Sequence, residues 1–346
     1  MNVFNIMLSP DKGGLQQMSL IYALAMQKMG HNVICVLRKN SPYIEVLQEN
    51  GISVYIYKSC TVYNLYKMLS LAVFMKKNKA DIVICHGRRA TSVVTNNIIR
   101  AFIKPMFKTI GVMHSKECKL KSKCDKLIFL TNQHLQQQSD FIKNKSYVLA
   151  NTILDKGEAA SPLHSPLVFG SMGRLHKIKG FDILLTALSI LKKKNYKFKF
   201  ILAGKGKEEK KLLHQIQELD LSDRVNFMGW VNNKALFFKQ IDVFVLSSRS
   251  DVMPLSVLEA FAYSKPVIAT QCDGPKEVMS QEFKSMLVPC QDAPALASIM
   301  ENIINNKKQI LSLSGKAKLL FDEQYSFLMF AKKLNSILNE VANVCN

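Results

Sequence analysis

The chain has 346 residues, 48% of them hydrophobic, with 47 Lys+Arg against 26 Asp+Glu and a formal net charge of +21. That apolar content excludes a disordered chain, and the length suits two domains of ordinary size. No apolar run reaches the roughly 18–20 residues of a membrane span, and the opening MNVFNIMLSPDKGG lacks the basic flank and long apolar run of a signal peptide, so a cytoplasmic protein is expected.

Residues Val3–Leu8 read as a strand, Pro10–Gly14 as a loop and Leu15–Met29 as a helix that Gly30 stops before a second strand, Asn32–Leu37. Further strands are predicted at Val54–Tyr57, Ile82–Cys85, Thr109–Met113, Leu127–Leu130 and Tyr147–Leu149. Helical stretches lie between most of them, and MLSLAVFM (68–75) reads as a buried or interfacial helix face. This is the βαβ rhythm of a parallel sheet covered on both faces. Residues 153–167, with two prolines and no clear period, read as a linker. The rhythm then restarts: strand Leu167–Met172, helix Phe181–Lys193, strand Phe198–Ala203 and helix Glu208–Leu219. Strands follow at Val225–Phe227, Val243–Leu246 and Val267–Ala269, then helices near 293–305 and 326–343. The expected domains are 1–160 and 161–325, with 326–346 crossing back to the first. Ligands of such sheets bind outside the carboxyl ends of the strands.

The charge is uneven: residues 1–160 hold 22 basic and 9 acidic side chains, residues 161–346 hold 25 and 17. From Arg100 to Lys126 eight basic residues face two acids, with Phe102, Ile103, Met106 and Phe107 among them. That mixture suits docking on an anionic membrane surface, and equally a solvated basic face. The eight cysteines form no CxxC pair, and Cys118 and Cys124 lie too far apart for a zinc knuckle, so reduced thiols are expected.

Three segments carry chemistry. Gly13–Gly14 follow a strand and open a helix, where backbone N–H groups approach an anion, although an ordinary tight turn gives the same pattern. The segment lacks GxGxxG, which argues against a classical dehydrogenase. In GSMGRLHKIKG (170–180), Arg174 and Lys179 follow a strand and precede a helix, a placement suited to a diphosphate and to charge on a leaving group. In VFVLSSRSDVMPLSVLEAFAYSKPVIAT (243–270), Pro254 suits a helix start. Asp251 at the helix entrance and Glu259 one to two turns inside it are placed to accept hydrogen bonds from a sugar and a ribose. A helix cap at Asp251 and a solvated Glu259 are the bland alternatives.

Taken together these segments resemble the retaining GT-B glycosyltransferases of family 4, also known as glycosyl transferases group 1. The resemblance covers most of the chain and is densest over 168–278. It rests on GRLHKIKGFDILLTAL (173–188), FILAGKGKEE (200–209), VNFMGWV (225–231), the E-x7-E-like stretch and CDGPKEV (272–278). In the first half GHNV (30–33), IGVMHS around His114, CDKLIFLTN (124–132) and Asn151 also match. The fold implied is α/β, a GT-B fold of two Rossmann-like doubly wound domains facing a central cleft.

The resemblance implies that Arg174 and Lys179 bind the donor diphosphate, Glu259 the ribose and Asp251 the transferred sugar. Leu255 and Ser256 would face the donor phosphates, His114 the donor sugar and Gly13–Gly14 the phosphates. Gly204 and Met228–Val231 would line the base. The sequence departs from the pattern at Asp251, an Asp in place of the first Glu, and at Val252, where a Gly is usual. Donor-sugar preference is therefore less predictable.

No D-x-D and no metal-spaced His/Cys cluster occurs, so no metal and no other cofactor is expected. The implied reaction is retaining transfer of a hexose from a nucleotide sugar, expected to be a UDP-sugar, to a saccharide acceptor. That acceptor is expected to be lipid-linked or lipopolysaccharide-like, with the enzyme peripheral on the inner face of the membrane. Two other classes are a nucleotide-sugar epimerase of the same fold, which would release a changed donor, and a basic nucleic-acid-binding protein. The single Trp and the absence of a stacking platform argue against specific nucleic-acid binding.

Overall fold

The structure, a computed structural model, describes residues 1–9, 13–58, 64–97, 100, 107–115, 123–154, 157, 162–279 and 281–343. The chain divides into two compact units: Met1–Leu154 with Ser326–Asn346, and Asp155–Tyr325.

The first unit is built on seven parallel strands: β1 Asn2–Met7, β2 Asn32–Leu37, β3 Ser53–Ile56, β4 Ile82–His86, β5 Lys108–Met113, β6 Lys126–Phe129 and β7 Ser146–Val148. Their order across the sheet is β3-β2-β1-β4-β5-β6-β7. The chain moves outward from β1 through β2 to β3, then returns to the other side of β1, so the switch point lies between β1 and β4. The strands are apolar almost throughout because both faces are covered: Ile82, Val83, Ile84 and Cys85 of β4 are all fully buried. The helix Phe327–Asn343 packs on the helix Gly14–Lys28 within this unit, and Tyr22 meets Phe330 edge-on at 5.0 Å.

The helix Leu65–Lys77 buries Met68, Leu71, Ala72 and Met75 on one face and leaves Val73 exposed. No helix among the described residues is long and apolar enough to cross a membrane. Of the basic stretch between Arg100 and Lys126, residues 101–106 and 116–122 lie outside the described residues, including Phe102, Ile103 and Met106. Phe107 is not part of an exposed face: it packs, half-buried, against the core cluster containing Phe4, Val83 and Met68, because apolar contact there removes its ring from water.

The second unit carries six parallel strands: β8 Leu167–Met172, β9 Phe198–Ala203, β10 Val225–Gly229, β11 Val243–Leu246, β12 Val267–Thr270 and β13 Leu287–Val288. The order is β10-β9-β8-β11-β12-β13, with the switch point between β8 and β11. The helix Phe181–Lys193 buries Phe181, Leu184, Leu185, Leu188 and Leu191 at helical spacing. Each such fully buried side chain contributes roughly 1.5–3 kcal/mol of apolar burial. Both units are thus doubly wound α/β sheets. Helices that the sequence pattern left unassigned are Lys234–Lys239, Asp273–Val278 and Lys307–Leu320, the first two only six residues long and too short for a clear period.

Candidate active site

In the first unit the carboxyl ends of β1, β4 and β5 come together. His86 ends β4 and precedes the helix Gly87–Val94, and its strand partners are Met7 on β1 and Val112 on β5. His114 follows β5, partly exposed, with its Nε2 at 3.0 Å from His86 Nδ1. His86 is buried, and its Nε2 lies 2.8 Å from Asn5 Oδ1 on β1. Asn5 in turn donates from Nδ2 to the Ser19 carbonyl at 2.8 Å. Burial lowers the His114 pKa to about 4. Burial and then the neighbouring His114 hold His86 well below the usual imidazole value. Both rings are therefore neutral at pH 7. Gly13 is the extended residue before the helix Gly14–Lys28, and both glycines of the pair are exposed, leaving the helix N-terminus open to an anion.

In the second unit the site forms where the loop after β8 meets the loop after β11. Lys179 Nζ donates to Asp251 Oδ2 at 2.5 Å, so these two predicted residues are neighbours despite lying 72 positions apart. The bond is one of several between the loops. Ser247 Oγ donates to the Lys179 carbonyl at 3.0 Å, and the Arg249 N–H donates to the Ile178 carbonyl at 2.7 Å. The Arg249 guanidinium forks onto both oxygens of Asp182 at 2.8 and 2.6 Å and also reaches the Lys177 carbonyl at 2.6 Å. Burial alone would raise the Asp182 carboxyl, but the hydrogen bonds and charge of Arg249 outweigh it and hold it below the usual value. Gly180 closes the same contact: its φ is +64°, and a Cβ there would sit 2.0 Å from the Ser247 carbonyl oxygen.

Glycine also brings the β8 and β9 ends together. Gly204 has φ +151°, and a Cβ on it would lie 1.9 Å from the Gly173 carbonyl oxygen. Arg174 follows directly, exposed, and makes no ion pair among the described residues. The helix Leu255–Ala262 starts from Pro254, so Leu255 and Ser256, both partly exposed, form its first turn. Leu255 therefore does not join Leu258 and Phe261 in the core, because it stands at the helix mouth. Asp251 caps no backbone N–H of that helix. Glu259 is 4% exposed and accepts a short hydrogen bond from Lys234, which opens the helix Lys234–Lys239. It is neither solvated nor paired with Asp251. Met228, near the end of β10, and Val231 beyond it are partly exposed.

The helices beginning at Phe181 and Leu255 both point their N-termini at this strand edge, adding positive potential to that of Arg174 and Lys179. Carboxylates and cations alternate there: Asp251 with Lys179, Glu259 with Lys234. Sequence reasoning missed Lys234 and Arg249. Neither lies in a glycine-marked loop, and a lone cation carries no signal until its partner is placed. The absence of a CxxC pair also hid a contact between thiols: Cys272 Sγ lies 3.5 Å from Cys290 Sγ and donates to the Ser248 carbonyl at 3.1 Å. Burial pushes the Cys272 thiol up to about 12.

Residues 157–320 match the family model described as Glycosyl transferases group 1. A Haemophilus influenzae protein named as an uncharacterized glycosyltransferase is 25% identical, over 97% of this chain and 99% of its own length. The Escherichia coli UDP-Gal:alpha-D-GlcNAc-diphosphoundecaprenol alpha-1,3-galactosyltransferase is 23% identical over 91% and 90%. Among solved structures, Anabaena HepE in complex with UDP and glucose superposes with a TM-score of 0.81 at 17% identity, covering 98% of this chain and 100% of that one. At that identity the likeness speaks for the fold.

Proposed function

We propose that the chain, a glycosyltransferase whose residues 157–320 match glycosyl transferases group 1, moves a hexose from a UDP-sugar to a saccharide acceptor, with retention and without a metal ion. The observation that carries this reading is the stitched pair of loops at the β8–β11 switch point. There Lys179, beside Asp251 at 2.5 Å, and the exposed Arg174 stand with two helix N-termini. That much positive potential can hold a diphosphate and stabilise it as it leaves. Asp251 then takes hydroxyls of the transferred sugar, and Glu259 those of the ribose. The donor phosphate accepts the acceptor's proton on the same face that the leaving group vacates, so no protein nucleophile is named.

UDP is favoured by the name of the Escherichia coli relative and by the nucleotide bound to HepE. The same relative's name, with its diphosphoundecaprenol, favours a lipid-linked acceptor of cell-envelope glycan synthesis and a membrane surface as partner. Nucleotide release from UDP-, GDP- and ADP-sugars, in EDTA, with and without a membrane-lipid extract, tests the whole reading. Extract-stimulated UDP release that Lys179→Ala abolishes is the expected result. Release restored only by added divalent metal would overturn metal independence, and release of GDP or ADP alone would overturn the donor. Co-sedimentation with liposomes, indifferent to anionic lipid, would remove the membrane surface from the proposal.

A further inference from the structure

Asn5, His86 and His114 form a hydrogen-bonded line at the switch point of the first unit, and the chemistry at one end dictates the proton positions at the other. The Ser19 carbonyl can only accept, so the Asn5 group facing it at 2.8 Å is the amide nitrogen. Asn5 Oδ1 therefore faces His86 Nε2 at 2.8 Å, and that nitrogen must carry a proton to donate. A neutral His86 then has a bare Nδ1, which accepts from His114 Nε2 at 3.0 Å. His114 is left with its proton on Nε2 and a lone pair on Nδ1. Asn5 and His86 are 0% and 1% exposed, and the Tyr22 ring stands edge-on to His86 at 4.8 Å, so water cannot break the link between Asn5 and His86. The low pKa values of both rings, set by burial, keep the line neutral.

We propose that Asn5 and His86 are positioning residues that fix one tautomer of His114, so that its Nδ1 is an obligate acceptor for a hydroxyl of the sugar substrate. This rests on the reading that His114 meets that substrate. A fixed neutral acceptor selects for a hydroxyl proton at one place. A lone imidazole would pick either tautomer to suit its ligand, and the selectivity would vanish.

The test is spectroscopic first. Long-range proton–nitrogen correlation spectra of the 15N-labelled protein at pH 7 distinguish the two neutral tautomers, and His114→Asn assigns the His114 signals. The expected spectrum has His114 protonated on Nε2 and bare on Nδ1. The opposite tautomer, or rapid exchange between both, overturns the relay whatever the activity. Asn5→Leu sharpens the test. It removes the acceptor that obliges His86 Nε2 to carry its proton, so either neutral tautomer of His86 becomes available and the His114 signals should report both. Turnover should fall about twofold to tenfold, because only part of the population then presents a bare Nδ1. If Asn5→Leu mixes the tautomers and turnover is unchanged, the relay positions nothing. If the wild-type tautomer is as expected but His114→Ala is fully active, the placement of His114 at the substrate fails and takes the relay's role with it.

Discussion

The two switch points share a topology and differ in electrostatics. At β1–β4 the groups are uncharged and their order is imposed by burial: Asn5, His86 and His114 hold one another through neutral hydrogen bonds. At β8–β11 the groups are charged and partly open, and their order is imposed by pairing: Lys179 with Asp251, Lys234 with Glu259, Arg249 with Asp182. Parallel strand ends therefore set where functional groups gather without setting how they are held. A buried neutral line gives direction to one hydrogen bond. A paired, partly open cluster gives strong charge that a ligand can take over, because each lysine already has a carboxylate to leave or to share.

The largest effects should fall on the charged site. Lys179→Ala removes a cation from the leaving group, so kcat should drop about 10²- to 10³-fold, while Lys179→Arg should keep much of the rate. Steady-state release of nucleotide measures both. Gly204→Val should be severe in a different way. Its Cβ would overlap the Gly173 carbonyl oxygen at a φ that side chains avoid, so the cost is stability of the second unit, about 3 kcal/mol or more. Urea unfolding checks it, and an unchanged midpoint would mean that the loop yields.

Acid separates the two regions. His31, His86 and His114 of the first unit have pKa values lowered by burial, so the unfolded chain binds protons that the folded one refuses. Their contribution is complete above about 6.5 and is lost as pH falls, towards about 4 for His114, at up to about 1.4 kcal/mol per pH unit for each ring. In the second unit Asp182, Asp223 and Glu301 are lowered, and their contribution is lost only as pH falls below their unfolded values, which do not exceed 4.5. Unfolding titrations between pH 4.5 and 6.5 should therefore show the slope, and His114→Asn should flatten it while Lys179→Ala leaves it unchanged. A slope that survives His114→Asn in full would assign it elsewhere.

How far each site was legible follows from the same contrast. The charged loops announce themselves, since glycines at 180 and 204 mark backbone approaches that only glycine permits, and Arg174 and Lys179 stand in the loop that ends at Gly180. The doubly wound sheets were legible because buried parallel strands are short apolar runs, and β8, β9 and β11 fall where those runs predict. The neutral line was not legible beyond His114. Asn5 and His86 are 81 positions apart, and each is a buried polar residue in a largely apolar strand, which alone reads as packing. Lys234 escaped for the same reason: its partner Glu259 is 25 residues on, and nothing local marks either as half of a pair.

Arg249→Ala tests whether the second site is held by pairing. The substitution leaves Asp182 without its fork and frees the Lys177 carbonyl, so the loop bearing Lys179 loses its anchor although Lys179 itself is untouched. KM for the donor should rise about tenfold, with a stability loss of about 1–2 kcal/mol. Asp251→Glu is the mildest test. It lengthens the carboxylate by one methylene against a Lys179 already at 2.5 Å, so the ion pair can survive while the oxygens that meet the sugar shift. The unfolding midpoint should not move, and the ratio of kcat/KM between two UDP-hexoses should change about two- to tenfold, the worth of one hydrogen bond. An unchanged ratio would mean that Asp251 serves Lys179 alone and does not touch the sugar. The charged site would then resemble the neutral one, with a group at its heart that acts only through its neighbour.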